Sequence, residues 1–196
     1  MKILFFTAWF FMVPFMAQNQ NLITYQKPLP KISAQGLITM PDGQTLTIQN
    51  FSDTGGSVFF IVRHAEKDTT GGSNADLNAI GRGRVKALQK ILKKIKIKGI
   101  FSTDKPRTRH TAEPIAKAKH QKVILYDAKK QDELLTRLVN QKGKFLIVGH
   151  SNTVPQLVNI LRGGDAEKEF SESDYSRIYI VSLKKMGEAN VLMIRF

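Results

Sequence analysis

The sequence predicts an α/β fold, a three-layer α/β/α sandwich whose central sheet is mostly parallel and carries helices on both faces. Short apolar runs of strand length alternate along the chain with stretches whose apolar residues recur at helical spacing. Strands that are apolar at every position are typical of a parallel sheet buried on both sides. The 196 residues are enough for one such domain, and a hydrophobic content of 42% is enough for its core.

The expected strands are separated from one another by predicted helices. Four apolar runs form the inner part of the sheet, at 58–62, 97–101, 122–126 and 145–148, and two more, 178–183 and 191–196, close the chain. Each run is four to six residues long and lacks the three-to-four-residue spacing of a helix. We therefore assign all six as strands.

The helices are predicted from apolar residues that share one helical face. The segments are 78–95, 108–119, the stretch around 134–139, and 154–161. The last of them has the i, i+3, i+4, i+7 spacing of an amphipathic helix, at Val154, Leu157, Val158 and Leu161. Alternation of these helices with the inner strands leads to the parallel sheet.

The first 56 residues are expected to lie outside the main domain. Residues 1–17, with Lys2, an apolar run over 3–16 and Ala17, are typical of a signal peptide, with an uncleaved membrane anchor as the alternative. Export would place the protein in the bacterial periplasm or outside the cell, with no stable membrane span after cleavage. Residues 18–56 are assigned as a tether followed by a small hairpin around the turn Pro41-Asp42-Gly43, and 57–196 as the main domain.

Composition limits the chemistry. The chain holds no cysteine, so it can form no disulfide, thiolate nucleophile or cysteine-bound metal site. Its four histidines show none of the usual metal spacings, and we expect neither a metal nor another cofactor. The net charge of +14 favours an anionic partner: a phosphorylated small molecule, a nucleic acid or an acidic membrane surface.

Unusual residues follow three of the inner strands. Arg63 and His64 follow the first, Arg107 lies shortly after the second, and His150 follows the fourth. Because ligands of parallel sheets bind beyond the carboxyl ends of the strands, we expect these four side chains to meet at one rim. Guanidinium groups bind two phosphate oxygens at once, and a neutral imidazole is nucleophilic near pH 7. The rim is therefore predicted to bind an anionic phosphorylated small molecule.

Each of these residues also has a simpler structural interpretation. Arg63 can pair with Glu66 at the surface, and His64 can be a buried imidazole with satisfied hydrogen bonds. Arg107 can belong to a solvated basic patch, and His150 can be a turn residue. The chemical interpretation depends on all four occurring together at matching strand ends.

Four motifs, taken in order, resemble those of the histidine phosphatase superfamily, whose fold is phosphoglycerate mutase-like. They are Arg63-His64-Ala65, Leu77-Asn78-Ala79-Ile80-Gly81, the stretch 103–112 and Gly149-His150-Ser151-Asn152. The resemblance implies that 57–196 is a catalytic domain, that His64 is the phosphorylated nucleophile, and that Arg63, Arg107 and His150 bind the phosphate. Asn152 is a further candidate for substrate binding. Ala65 replaces the glycine that is usual in the family.

The resemblance implies a carboxylic acid that protonates the leaving oxygen, but the family's Leu-x-Glu pattern for it is not found. Asp127 is the candidate because it follows the third inner strand and would lie on the same rim; Asp132 and Glu133 are the alternatives. Without a donor, an enzyme of this kind would favour good leaving groups such as phosphohistidine or acyl phosphates.

Three functions follow from these observations. The first is a metal-independent phosphatase acting through phospho-His64, and the second a non-catalytic protein that binds phosphate or a phosphorylated ligand in the same pocket. The third is a polyanion-binding module built on lysines 90, 93, 94, 96, 98, 129 and 130. The lysine run lacks aromatic residues that could stack on bases, so no nucleic-acid partner is expected.

Overall fold

The computed structural model describes residues 28–52 and 56–196. The predicted signal peptide and the first ten residues of the predicted tether lie outside these ranges. Within the described ranges, no helix is both long enough and apolar enough to cross a membrane.

The described part of the chain contains nine strands, four α-helices and a short 3₁₀ helix, Gly72–Asn74. The strands are β1 (Lys31–Ile32), β2 (Leu37–Thr39), β3 (Thr45–Thr47), β4 (Ser57–Arg63), β5 (Ile97–Ser102), β6 (Val123–Leu125), β7 (Gly143–Gly149), β8 (Arg177–Lys185) and β9 (Glu188–Arg195). The helices are α1 (Ala79–Ile91), α2 (Pro106–Ala118), α3 (Gln131–Val139) and α4 (Thr153–Arg162).

The main sheet has the strand order β6-β5-β7-β4-β8-β9. The first four strands pair in parallel, whereas β8 and β9 add to the other side of β4 as antiparallel strands. Every residue of β4 and of β7 is buried. The predicted α/β fold with a mostly parallel sheet is therefore confirmed.

The two faces of the sheet have separate hydrophobic cores. On one face Phe60 of β4 packs with residues of α1 and α2, including Leu88 and Ile115. On the other face Phe59 packs with residues of α3 and α4, including Leu135 and Leu157. Both phenylalanines are fully buried, which stabilises the fold by roughly 2 kcal/mol for each side chain. The helices thus cover both faces, as the three-layer prediction requires.

Two helices begin or end at different residues from those predicted. α1 ends at Ile91 instead of residue 95, and a turn over 92–94 leads into β5. Ile95 extends the apolar pattern beyond the helix because it still packs in the same core. α2 begins at Pro106, two residues earlier than predicted. Proline is favourable at the first helical position because it has no N–H group, and an N–H group there would have no partner within the helix.

The N-terminal hairpin is formed by β2 and β3, and β1 adds a third antiparallel strand to it. Residues 31–32 were expected within the tether. They form a strand because Ile32, together with Ile38 and Ile48, is buried in the core beside α1. Burial of these three side chains fixes the small sheet against the main domain.

Candidate active site

The two predicted histidines lie at the ends of neighbouring strands in the middle of the sheet. Arg63, the last residue of β4, is in register with Gly149, the last residue of β7. The N–H of His64 donates to the carbonyl of Gly149 at 2.9 Å, so the ladder continues one residue into the site. The rings of His64 and His150 are 5.5 Å apart between centroids. The parallel pairing therefore brings residues 86 positions apart to one place.

The hydrogen bonds of His64 determine which ring nitrogen can react. Nδ1 lies 2.8 Å from the carbonyl of Ala65, and because a carbonyl only accepts, Nδ1 carries the proton. In the neutral ring Nε2 then holds the free electron pair. Arg107 Nε donates to this atom at 3.2 Å. The side chain is 3% exposed, so His64 is a fixed, neutral imidazole with a nucleophilic Nε2.

Arg107 is placed by the first turn of α2. Its NH1 group donates to the carbonyl of Ser73 at 2.9 Å, in the loop that follows β4. One turn further on, the hydroxyl of Thr111 donates to the carbonyl of Arg107 at 2.7 Å and accepts the N–H of Ala65 at 3.0 Å. These bonds fix the start of α2 against the residues next to His64.

His150 is held by two threonines. Its N–H donates to the hydroxyl of Thr153 at 2.9 Å, and its Nε2 lies 2.9 Å from the hydroxyl of Thr103. The hydroxyl of Thr103 donates to that of Thr108 at 2.9 Å, and Thr108 donates to backbone carbonyls. Thr103 therefore accepts from His150 Nε2, which carries the proton of the neutral ring. The simpler interpretation of His150 as a turn residue is thus replaced by a ring with a defined partner beside His64.

Arg63 is more constrained than the sequence indicates. Its NH1 group donates to the carbonyls of Ser171, Glu172 and Asp174 at 2.9, 3.3 and 3.2 Å, and its guanidinium lies 4.1 Å from the ring centre of Tyr175. NH2 reaches the carboxylate of Glu172 at 3.3 Å. The surface pair with Glu66 is not what holds it, because that carboxylate binds Arg84 at 2.6 Å.

One nitrogen of Arg63 remains for a ligand. Nε is buried and has no hydrogen-bond partner in the part of the chain that the structure describes. A buried donor without a partner costs free energy unless an acceptor arrives. Arg63 therefore holds the 171–175 loop with its terminal nitrogens and can offer Nε to an anion.

Two glycines allow the close approaches on which the site depends. A Cβ atom at Gly81, in the first turn of α1, would lie 2.2 Å from the carbonyl oxygen of Glu66. A Cβ at Gly149 would lie 2.8 Å from the Thr153 hydroxyl oxygen that holds His150. A side chain at either position would push apart the loops that carry the histidines.

Burial and positive charge keep both histidines neutral. Burial lowers the pKa of His64 from 6.5 to about 3, and the charges of Arg63 and Arg107 act in the same direction. Burial also lowers the pKa of His150 to about 4, with contributions from Arg107, Arg63, Lys105 and Lys67. Four cations around two neutral rings form a site suited to a multiply charged anion.

These pKa values predict that the protein loses stability in mild acid. The unfolded chain protonates His64 near pH 6.5, whereas the folded chain does so only near pH 3. On acidification the unfolded state therefore takes up the proton first, and the free energy of unfolding falls as the pH drops below 6.5. We expect a loss of about 2 kcal/mol at pH 5 from His64 alone.

Urea unfolding at pH 7 and pH 5 tests this expectation. The variant His64→Asn has no titrating ring at this position. Its free energy of unfolding should therefore decrease by about 2 kcal/mol less between pH 7 and pH 5 than that of the wild type. An equal decrease in both proteins would contradict the assignment of the low pKa to His64.

The three carboxylates named as proton donors occupy different environments. Asp127 accepts the N–H of Lys129 at 2.9 Å in an exposed turn after β6, the outermost strand, two strands from β7. Glu133 is exposed and pairs with Lys130 at 3.0 Å. Of the three, Asp132 is the one that lines the cavity reaching His150. The structure thus gives more support to the alternative Asp132 than to Asp127.

That cavity, of about 810 Å³, is lined by His150. Most of the residues that line it are polar and include the predicted substrate-binding residue Asn152; the other polar side chains are Lys129, Gln131, Asp132, His150, Thr153, Gln156 and Asn159. A group attached to a phosphate at His64 can extend into this space. Among the described residues, no cluster of three or more histidine or carboxylate side chains is arranged to hold a metal ion.

Sequence reasoning missed the residues that support the site from a distance. Tyr175 lies 5.8 Å from the His64 ring, between centroids, and the 171–175 loop covers Arg63. This loop is a polar stretch without periodicity, so no local pattern marks it. Thr103 and Thr111 lie within one of the four motifs, but nothing in its spacing shows that their hydroxyls contact His150 and Ala65.

Comparison with known families agrees with this geometry. Residues 59–128 match the model of the histidine phosphatase superfamily (branch 1), a range that contains Arg63, His64 and Arg107. This match and the phosphoglycerate mutase-like fold agree with each other. The resemblance drawn from the four motifs is therefore confirmed. A search of curated proteins found no match.

Solved structures with the same fold include several phosphatases. The protein histidine phosphatase SixA, in complex with tungstate, is 20% identical, with a TM-score of 0.61 over 70% of this chain and 96% of SixA. The mycobacterial glucosyl-3-phosphoglycerate phosphatase in complex with VO3 is 13% identical, with a TM-score of 0.55 over 71% of this chain and 98% of that one. At these identities the similarity defines the fold and leaves the substrate open.

Proposed function

We propose that this protein is a phosphatase that hydrolyses phosphomonoesters or related phosphoryl compounds through a phosphohistidine on His64. The observation that carries the proposal is the state of His64 Nε2: unprotonated, immobilised through Nδ1, and 3.2 Å from a guanidinium. A structural histidine has no need of two arginines and a second imidazole around its free electron pair. The superfamily match and the phosphatases of the same fold support the activity.

In the first step His64 Nε2 attacks phosphorus, and the bond from phosphorus to the leaving oxygen breaks. Negative charge on the equatorial oxygens is stabilised by Arg107 and by the unpartnered Nε of Arg63, with the neutral ring of His150 beside them. No base is required, because the low pKa keeps the attacking ring neutral at pH 7. The leaving oxygen takes a proton from a carboxylic acid or, when it is a weak base, leaves as an anion.

In the second step water attacks phosphorus, the phosphorus–nitrogen bond breaks, and its electron pair returns to His64 Nε2. The water gives its proton to the carboxylate that the donor became in the first step, and inorganic phosphate leaves. The polar cavity beside His150 would hold the leaving group in the first step, and Asp132 in its wall is the proposed donor. An acid placed there would extend the substrates beyond acyl phosphates and phosphohistidine to ordinary esters.

The test is turnover of a panel of aryl phosphates in the presence of a chelator, followed by rapid acid-free quenching to trap a phosphohistidine. We expect release of phosphate that the chelator does not reduce, because the described residues supply no metal cluster. Asp132→Asn should slow the esters of weakly acidic phenols more than those of strongly acidic ones. Loss of the acid would leave the rates of esters with good leaving groups unaltered, because such groups depart without a proton.

The competing proposal is a phosphate-binding protein without turnover. It predicts saturable binding of inorganic phosphate, protection against unfolding by phosphate, and no release of phosphate from any ester in the panel. Detection of an acid-labile phosphorylated protein would exclude it. Export of the protein, predicted from residues 1–17, remains a prediction that this assay does not address.

A further inference from the structure

The edge of the sheet opposite the active site carries a concentration of lysines. At this edge β5, β6 and β7 begin and α1 and α2 end. We call the exposed lysines here the lysine edge: Lys90, Lys93, Lys94, Lys96, Lys98, Lys117, Lys122 and Lys142. They come from several separate segments of sequence, and the fold brings them to one side of the molecule.

Acidic residues are excluded from the segments that form the lysine edge. Residues 85–103, 114–126 and 134–164 contain no aspartate or glutamate. Carboxylates occur beside the active-site rim, as at Glu66, Asp76, Asp104 and Asp132, and also at the start of β9, where Glu188 pairs with Lys184 and Lys185. A merely solvated helix face usually mixes both charge signs, so the absence of carboxylates from these three segments indicates a surface that meets an extended anion.

The N-terminal part of the chain enters the domain at the same edge. Leu29, Pro30 and Lys31 line a cavity of about 570 Å³ together with Lys90, Lys93 and Lys94 at the end of α1. The exposed apolar side chain of Leu37 lines it as well. In the sequence, the apolar run 3–16 precedes this point by a short polar stretch. The first described residues of the chain therefore lie next to the lysine edge.

We propose that the lysine edge docks the protein on an anionic membrane surface, with the active site directed away from the bilayer. Lysines near such a surface each contribute to binding, and their effects add up. The first described residues, Leu29 to Lys31, lie on the same side as the lysines, and the apolar run 3–16 precedes them in the sequence. The active site, at the opposite ends of the strands, would then face water and act on soluble phosphorylated compounds.

A nucleic acid fits this surface less well. The large apolar side chains exposed in the described ranges are leucine, isoleucine and methionine, none of which forms a stacking platform for bases. Lysines also offer point charges, whereas planar guanidinium groups are the usual means of reading bases. The membrane is therefore the partner that the composition of the edge favours.

The test is sedimentation of the full chain with vesicles of phosphatidylcholine alone and of phosphatidylcholine mixed with phosphatidylglycerol. The variant Lys93→Glu/Lys94→Glu changes the lysine edge. Its matched control is Lys129→Glu/Lys130→Glu, which lies at the opposite, carboxyl ends of the parallel strands. Because any insertion of the run 3–16 contributes to both lipid mixtures, the difference between them isolates the lysines. We expect the edge variant to lose roughly 30-fold or more in affinity for the anionic vesicles, and the control about twofold.

Three outcomes would overturn the proposal. They are equal affinity of the wild-type chain for the two kinds of vesicle, equal losses in the two variants, or loss of binding to a short DNA duplex in the edge variant with vesicle binding unchanged. Folding of both variants is checked by circular dichroism. Folding of the edge variant is also checked by turnover of an aryl phosphate, since neither of its lysines belongs to the active site, whereas Lys129 of the control lines the cavity beside His150.

Discussion

His64→Asn is expected to lower kcat by at least about a thousandfold while the protein stays folded. The reason lies in the two ring nitrogens. Asparagine can still donate to the carbonyl of Ala65, as Nδ1 does at 2.8 Å, but it has no nucleophilic nitrogen at the place of Nε2. Binding of phosphate should survive in part because Arg107, Arg63 and His150 remain. Steady-state kinetics on an aryl phosphate and calorimetric titration with phosphate measure the two effects separately.

The matched control is His120→Asn. His120 is exposed, lies after α2 and has a φ of 54°, a conformation that asparagine tolerates well. The same chemical change there should leave kcat within about twofold of wild type. Wild-type turnover by His64→Asn, or a phosphorylated histidine still trapped in that variant, would remove the proposed mechanism.

Arg107→Lys is expected to reduce kcat/KM by about a hundredfold or more. Arg107 uses Nε toward His64 Nε2 at 3.2 Å and NH1 toward the carbonyl of Ser73 at 2.9 Å. A lysine ammonium is a single point charge and cannot make both contacts in one plane. If the guanidinium acts mainly on the transition state, kcat falls more than the affinity for phosphate does.

Arg109→Lys is the control for this substitution. Arg109 lies two residues further along α2, is exposed, and pairs with Glu113 at 3.2 Å and with Asp104 at 3.5 Å. Ion pairs of this kind contribute little, so kinetics and stability should remain close to wild type. Equal losses in Arg107→Lys and Arg109→Lys would indicate that net charge near the site matters and that the placement of Arg107 does not.

The sequence alone was sufficient to predict the fold and the grouping of four residues at its centre. Apolar strands alternating with amphipathic helices leave few arrangements other than a covered parallel sheet. In such a sheet the carboxyl ends of the strands lie at one edge, and residues that follow neighbouring strands therefore lie close together there. That is why Arg63, His64, Arg107 and His150 could be grouped although 87 positions separate the first from the last.

The supporting contacts and the surroundings of the candidate acids were decided only by the tertiary structure. Arg63 binds the carbonyl of Ser171, 108 residues away, through a loop that has no periodicity to reveal it. Asp127 follows a strand, as predicted, but that strand is the outermost of the sheet. The sequence of a single strand does not predict its position in the strand order. Asp132 lines the cavity beside His150 because of where α3 packs.

Local patterns in a sequence indicate which face of a helix or strand is buried. When the strands are parallel, the residues that follow them all lie at the same edge of the sheet. Local patterns do not indicate how far apart two strands lie along that edge, or which loop covers it. Both depend on packing between segments that are remote in sequence. The sequence of this protein accordingly determined that Arg63, His64, Arg107 and His150 lie at one site. The tertiary structure decided what holds them and what approaches them.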